Sequence, residues 1–157
     1  MAIVVGIDPG LTGAVAAVTG EQLLWAEDTP TAGGEIAVPL LLDLIKSASP
    51  DLVAIERVGS MPKQGVASTF KFGTSYGIAI GLTGALWRTV RTTPTEWKAE
   101  YRLNGKDKDA ARLLAIQLWP TQAEVFARKG KGQARADAAL IALHAARHRH
   151  ALTGEAA

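Results

Sequence analysis

Three carboxylates in this chain stand where they could do chemistry: Asp8, Glu56 and Asp137. Asp8 closes a short apolar run at residues 2–7 and is followed by Pro9, Gly10 and Gly13, which break that run. Glu56 closes a second apolar run that begins at Asp51. A charge beside a buried strand is costly unless something pairs with it, and the glycines let other groups approach Asp8. That combination points to a metal or phosphate site, with a turn capped by the Asp8 side chain as the structural alternative. If the two strands are parallel neighbours, both carboxylates lie at one sheet edge, where ligands of open α/β sheets gather. Two like charges so close favour a cation between them. Asp137 falls in ARADAALIA, in the first turn expected for the last helix, with apolar neighbours on both sides. There it either interacts with the helix N-terminus, worth about 0.3–1 kcal/mol, or faces the other two. Three carboxylates would make an oxygen-only site suited to Mg²⁺ or Mn²⁺. Two such ions about 4 Å apart activate water and stabilise the leaving oxygen in phosphodiester cleavage.

The elements that must position these groups are legible as pattern. Residues 2–8, 13–18 and 22–28 read as three strands with short links, an antiparallel meander. Residues 30–34 read as a loop. Residues 36–48 have helical apolar spacing, with Pro39 marking a start near that point. Residues 51–56 form a fourth strand, reached through a helix and so parallel to an earlier one. A polar loop at 57–65 leads into a long helix at 66–86, in which Gly73, Gly77 and Gly81 recur every fourth residue. Each glycine costs about 1 kcal/mol relative to alanine in a helix. The smooth ridge they form suits close approach of another helix, either as a homodimer seam or as packing on the chain's own sheet. A fifth strand follows at 88–93, then helices at 94–103 and 107–119, an ambiguous stretch at 121–128, a mobile basic loop at 129–133 and a final helix from Arg135 to about His150. No repeat or linker interrupts this series, and the length fits one domain.

Composition narrows the classes. Hydrophobic residues at 48% and charged residues at 20% describe a globular chain. Cysteine is absent, which excludes disulfides and cysteine zinc sites. No signal-peptide pattern opens the sequence, and its longest uncharged stretch is short for a membrane span and carries four glycines; a soluble, cytoplasmic protein is expected. The net charge of +2 hides an asymmetry: residues 1–56 carry −7 and residues 57–157 carry +9. A basic second half suits a polyanion. The candidate contacts are Arg57, Lys63 and Gln64 in the loop after Glu56, and Lys71, Lys98, Lys106, Lys108, Lys129 and Lys131 as phosphate contacts. For any one lysine, a solvated surface charge is the plain alternative. No phosphate-binding or dinucleotide motif is present, so no nucleotide cofactor is expected. His144 and His148 have a metal-ligand spacing but read as an exposed helix end, about 10 Å of helical rise from Asp137. The four tryptophans read as core.

Taken in order, IDPGLTGA, two further strands, a helix, a strand ending IE, the glycine-bearing helix, TPTEWK, NGKDKDAARLLAIQLWP and a helix opening ARADAALIA form a series that resembles the RuvC-type Holliday junction resolvases of the ribonuclease H-like superfamily. The likeness spans about residues 3–148. It implies an α/β, ribonuclease H-like fold with a five-stranded mixed sheet flanked by helices. It also implies a homodimer, two Mg²⁺ ions per active site (Mn²⁺ as a substitute), and symmetric nicking of four-way and other branched DNA. Asp8, Glu56 and Asp137 match the family's catalytic, metal-binding carboxylates. Two departures stand out. Ala134 takes the place, one turn before Asp137, where the family carries a further Asp or His. Gly59-Ser60-Met61 stands where an aromatic often probes the junction, leaving Met61 as the apolar wedge. The first departure admits a branched-DNA binding protein impaired in catalysis as the alternative, and a nuclease for other nucleic acids is the nearest enzymatic one. IDPGLTG also resembles the phosphate turn of the actin and sugar-kinase superfamily, which needs two such halves where this chain holds one.

Overall fold

The computed structural model describes residues 1–59 and 65–154. Strands β1 (Ile3–Asp8), β2 (Ala14–Thr19) and β3 (Gln22–Asp28) form the expected meander. The β1–β2 turn depends on two glycines. Gly10 adopts φ 125°, and a Cβ on Gly13 would lie 2.1 Å from the Asp8 carbonyl oxygen. Where a loop was expected, β4 (Thr31–Ala32) and β5 (Glu35–Ile36) pair in a small antiparallel ladder. Gly33 and Gly34, both at positive φ, provide the turn that closes it. Helix α1 (Val38–Ala48) starts with Pro39 in its first turn, and β6 (Leu52–Glu56) then runs parallel to β1. Helix α2 (Val66–Leu86) leads to β7 (Thr89–Thr92), parallel to β6. The chain ends with α3 (Pro94–Glu100), α4 (Ala110–Leu118), a 3₁₀ turn (Pro120–Gln122), α5 (Ala123–Ala127), α6 (Lys131–Arg147) and α7 (Arg149–Thr153). The mixed sheet has the order β3-β2-β1-β6-β7.

Both faces of this sheet are covered at its centre, which is why β1, β2 and β6 are apolar along most of their length rather than alternating. Val4, Ala16, Val18, Leu52 and Ala54 face the layer of α3, α4, α5 and α6. Val5, Ile7, Val15, Val53 and Ile55 face α1 and α2. Helix α6 is the central support of the first layer, with Ala136 and Ala138 through Ala145 all buried. Gly6 in β1 lets it lie directly on the sheet: a Cβ there would stand 2.2 Å from the Ala138 carbonyl oxygen and 2.5 Å from the Ala142 nitrogen.

Helix α6 begins at Lys131, not Arg135, so residues 131–133 are helical and not loop. Gly130 at φ 83° makes the turn, and Gly132 N–H donates to the Arg128 carbonyl at 2.6 Å. A Cβ on Gly132 would sit 2.3 Å from the Phe126 carbonyl oxygen, so close packing on α5 requires glycine there. The glycines that read as a loop are what allow the helix to start early. Asp137 therefore lies in the second turn of α6, beyond the reach of a first-turn dipole interaction.

Candidate active site

The parity of the strands aims Asp8 and Glu56 to one side. Asp8 continues the series Val4, Gly6, and Glu56 the series Leu52, Ala54, both facing the α6 layer. In the parallel register Ile7 lies beside Ile55, so the next residues, Asp8 and Glu56, end neighbouring strands at one edge. Asp137 immediately precedes Ala138, whose carbonyl packs on Gly6, and so joins them from above. Burial pushes the Asp8 carboxyl well above its ordinary range, and the charges of Asp137 and Glu56 push it the same way. Burial likewise pushes Asp137 up to about 7, with Glu56 adding to it. Lys98 opposes both shifts. The structure thus brings the three sequence-predicted carboxylates into one electrostatic unit.

Two of the three are held by neutral donors that the sequence reading missed. Trp97 Nε1–H donates to Glu56 Oε1 at 2.8 Å. Trp97 is fully buried, as a core residue should be, yet its polar edge serves the site. It is presented by α3, whose start is fixed by a capping box between Thr93 and Glu96. Gln133 Nε2–H donates to Asp137 Oδ1 at 3.0 Å. The i, i+4 spacing of Gln133 and Asp137 was visible in the sequence, but with residues 131–133 read as loop it carried no weight. Ala134, the departure noted above, is buried in the core of the α6 layer, so Gln133 is the polar residue of that turn that reaches Asp137.

The basic residues divide into groups. Lys98, Lys106 and Lys108 line one cleft of about 280 Å³ together with Gln133 and Asp137. The Lys98 ammonium also lies 5.2 Å from the centre of the Trp97 ring. Lys129 and Lys131 line a second cleft with Arg128, Thr12 and Gly13. There Lys131 is already paired with Asp28 at 2.7 Å, as is Arg135 at 2.9 Å. Lys71 is exposed on α2 near the β1–β2 turn. Arg57 is exposed next to Glu56, its backbone N–H donating to the Thr92 carbonyl at 2.7 Å. Met61, Lys63 and Gln64 lie outside the described residues.

On α2, Ser75, Ala79 and Thr83 face inward. Gly73, Gly77 and Gly81 are exposed, and a Cβ on any of them would meet nothing within 4 Å. The glycine ridge is therefore not used for packing on the chain's own sheet. His144 departs from expectation too. It is buried, while His148 at the helix end is exposed as expected, and both meet Glu100 of α3.

An oxygen-only set of half-buried carboxylates, in which neighbouring charge raises the pKa of Asp8 and Asp137, with the half-buried Lys98 nearby, fits a hard divalent cation. Among the described residues, the one trio of His, Cys, Asp or Glu side chains with ligand atoms all within 4.8 Å of one another is Glu100, His144 and His148.

No protein-family model matches the sequence, and no curated protein matches it. Solved structures do. RuvC of T. thermophilus in complex with a Holliday junction substrate matches with a TM-score of 0.70 at 21% identity, over 98% of this chain and 97% of that one. A second structure of Thermus thermophilus RuvC gives 0.66 at 21% identity, over 95% and 96%. The yeast mitochondrial Holliday junction resolvase Ydc2 gives 0.61 at 16% identity, over 96% and 80%. The chain has the fold of the RuvC-type Holliday junction resolvases, as its motif order implied.

Proposed function

We propose that this chain is a structure-selective endonuclease that cuts phosphodiester bonds in branched DNA, with four-way junctions as its principal substrate. The observation that carries this reading is the meeting of Asp8, Glu56 and Asp137 at one sheet edge beside a cleft lined by Lys98, Lys106 and Lys108. The likeness in fold to a RuvC whose structure holds a Holliday junction supports the choice of substrate.

Asp8, Glu56 and Asp137 would hold Mg²⁺ or Mn²⁺, two ions per site, and bound metal supplies Lewis-acid stabilisation of the charge that develops in cleavage. Trp97 and Gln133 fix the carboxylates of Glu56 and Asp137, so that little reorganisation is needed when substrate arrives. Lys106 and Lys108, exposed at the cleft, attract the DNA backbone. Lys98, half-buried and lining the same cleft, offsets the carboxylate charge and would be placed to meet a phosphate bound there. Gln133 retains a side-chain carbonyl that can orient water, a part of the role vacated at Ala134. The open glycine face of α2 serves as the seam of a homodimer, placing two sites on one junction. The protein would act in the cytoplasm.

The test is an end-labelled four-way junction against linear duplex of the same sequence, with Mg²⁺, Mn²⁺ or EDTA. Paired nicks confined to the junction and lost in EDTA are expected. Asp8→Asn and Glu56→Gln should abolish cleavage while junction binding persists, and substantial cleavage by either variant would refute the assignment. Ala134 favours a second reading, a branched-DNA binding protein, for which tight junction binding without cutting under either metal would be decisive. Gly77→Leu should convert dimer to monomer in sedimentation without lowering helix content; a wild-type species that sediments as a monomer refutes the seam.

A further inference from the structure

Away from the acidic edge, Glu100, His144 and His148 converge where the C-terminal end of α3 meets the C-terminal end of α6. His144 Nδ1 lies 2.5 Å, and His148 Nε2 3.2 Å, from the same oxygen, Oε2 of Glu100. The other oxygen, Oε1, accepts a hydrogen bond from Arg147 at 2.9 Å. Arg147 is in turn gripped by both carboxylate oxygens of Glu21, at 2.8 and 2.6 Å. All three potential ligand atoms lie within 4.8 Å of one another.

We propose that Glu100, His144 and His148 form a second metal site, a centre of two imidazoles and one carboxylate that takes Zn²⁺ or an ion of similar preference, with water completing its shell. Donor chemistry separates it from the acidic edge: imidazole suits zinc, whereas carboxylates alone suit magnesium or manganese. The geometry is close to what zinc needs. With bonds of about 2.0–2.1 Å, the ligands of a tetrahedral ion stand about 3.3 Å apart. The present separations from Glu100 Oε2, 2.5 and 3.2 Å, are both shorter than that, and all three ligand atoms lie within 4.8 Å, so an ion needs the Glu100–His144 contact to open by about 0.8 Å.

The surroundings are those of a supported site. Arg147 occupies Oε1 and so orients Glu100 with Oε2 toward the histidines, the part an outer hydrogen bond plays for a ligating carboxylate. Its positive charge is offset by two carboxylates, Glu21 and Glu100, which leaves the cluster net negative when the histidines are neutral. An entry path exists, since the His148 side chain is 49% exposed while those of Glu100 and His144 are 19% and 10% exposed. An ion here would tie α3, which carries Trp97 and Lys98, to α6, which carries Gln133 and Asp137. The proposal stands whether or not the chain cuts DNA.

The experiment is calorimetric titration of the full-length, chelator-treated protein with ZnCl₂ in excess Mg²⁺, repeated on His148→Ala and Asp8→Asn. Visible spectra of the same proteins with Co²⁺ and thermal melts with and without Zn²⁺ accompany it. One equivalent of Zn²⁺ should bind to wild type and to Asp8→Asn, with affinity lowered about 100-fold or more in His148→Ala. The strong visible bands of low-coordinate cobalt, and the rise in Tm with Zn²⁺, should follow the same pattern. Absence of stoichiometric Zn²⁺ binding would overturn the proposal. So would binding lost in Asp8→Asn but kept in His148→Ala, which would place the ion at the acidic edge.

Discussion

Gly6→Ala tests how the fold aims its site. The added Cβ would meet the Ala138 carbonyl at 2.2 Å and the Ala142 nitrogen at 2.5 Å, both backbone atoms that no side-chain rotation can clear. Restoring ordinary contact at 3.4 Å means withdrawing α6 from β1 by about 1 Å. Overpacking of this kind costs about 1–3 kcal/mol, and the backbone clash puts it in the upper part of that range. For a chain of this size that is a fall in Tm of about 4–12 °C. Asp137 precedes the displaced Ala138, so its carboxylate moves away from Asp8 by a similar distance. A misplacement of about 1 Å costs up to about 100-fold in rate. The control is Leu41→Ala, a buried position of α1 on the opposite face of the sheet, where the lost packing costs about 2–5 kcal/mol. Melting curves and junction cleavage are measured on both, with cleavage assayed well below either Tm. Gly6→Ala should lose both stability and rate, Leu41→Ala stability alone. A Gly6→Ala protein that melts with wild type, or that cuts as fast as Leu41→Ala, refutes the reasoning.

Trp97→Phe keeps the buried ring but removes the donor to Glu56; it should lower stability by about 1–2 kcal/mol and cleavage about tenfold, and unchanged cleavage would show that the bond is idle. Partial burial raises the Asp28 carboxyl, but the hydrogen bonds from Lys131 and Arg135 outweigh it and hold its pKa below 3.8. The stability this gives, about 1 kcal/mol for a partly exposed pair of contacts, is present above pH 3.8 and lost as the pH falls through the lowered native value. Urea midpoints for wild type and Asp28→Asn should therefore differ at pH 6 and converge at the acid end; a gap that widens on acidification contradicts the assignment. Lys106→Gln and Lys108→Gln should each reduce the slope of log K for junction binding against log salt by about 0.9, with equal effects on any junction sequence. Lys131→Gln should change that slope less, because its ammonium is engaged by Asp28.

The site was legible where it rests on strand ends and parity. Asp8 and Glu56 close their apolar runs, and a helix between two strands obliges them to be parallel, so their meeting followed from pattern. What the pattern hid was set by contacts distant in sequence. Residues 131–133 looked like a loop because Gly130 and Gly132 are poor helix formers, but the approach of α5 demands a missing Cβ at 132, and tertiary packing overrides propensity. The spacing of His144 and His148 was plain, whereas their partner Glu100 lies 44 residues earlier than His144 and comes close only when α3 docks on α6. Trp97 read correctly as core, but nothing local says that its indole N–H points at Glu56. The glycine ridge showed its period without showing which way it faced.

The lopsided charge of the chain gains a physical meaning once it is folded. The acidic first half supplies four of the five strands of the main sheet, and with them Asp8 and Glu56 at the strand ends. The basic second half supplies the helices laid over that edge, with Lys98, Lys106 and Lys108 at the cleft. The carboxylate that the basic half sets beside Asp8 and Glu56, Asp137, is half-buried and pushed up to about 7. A surface merely decorated with lysines would neutralise its own carboxylates in ion pairs, as Asp28 is neutralised by Lys131 and Arg135. Asp8 and Asp137 instead keep raised pKa values, chiefly because burial desolvates their carboxylates, with neighbouring carboxylate charge adding to it and Lys98 opposing both without cancelling them. Desolvation and repulsion together make the ionised carboxylates costly to hold without a cation. Such shifts are what the proposed cation site requires, and they distinguish this edge from the ion-paired surface at Asp28.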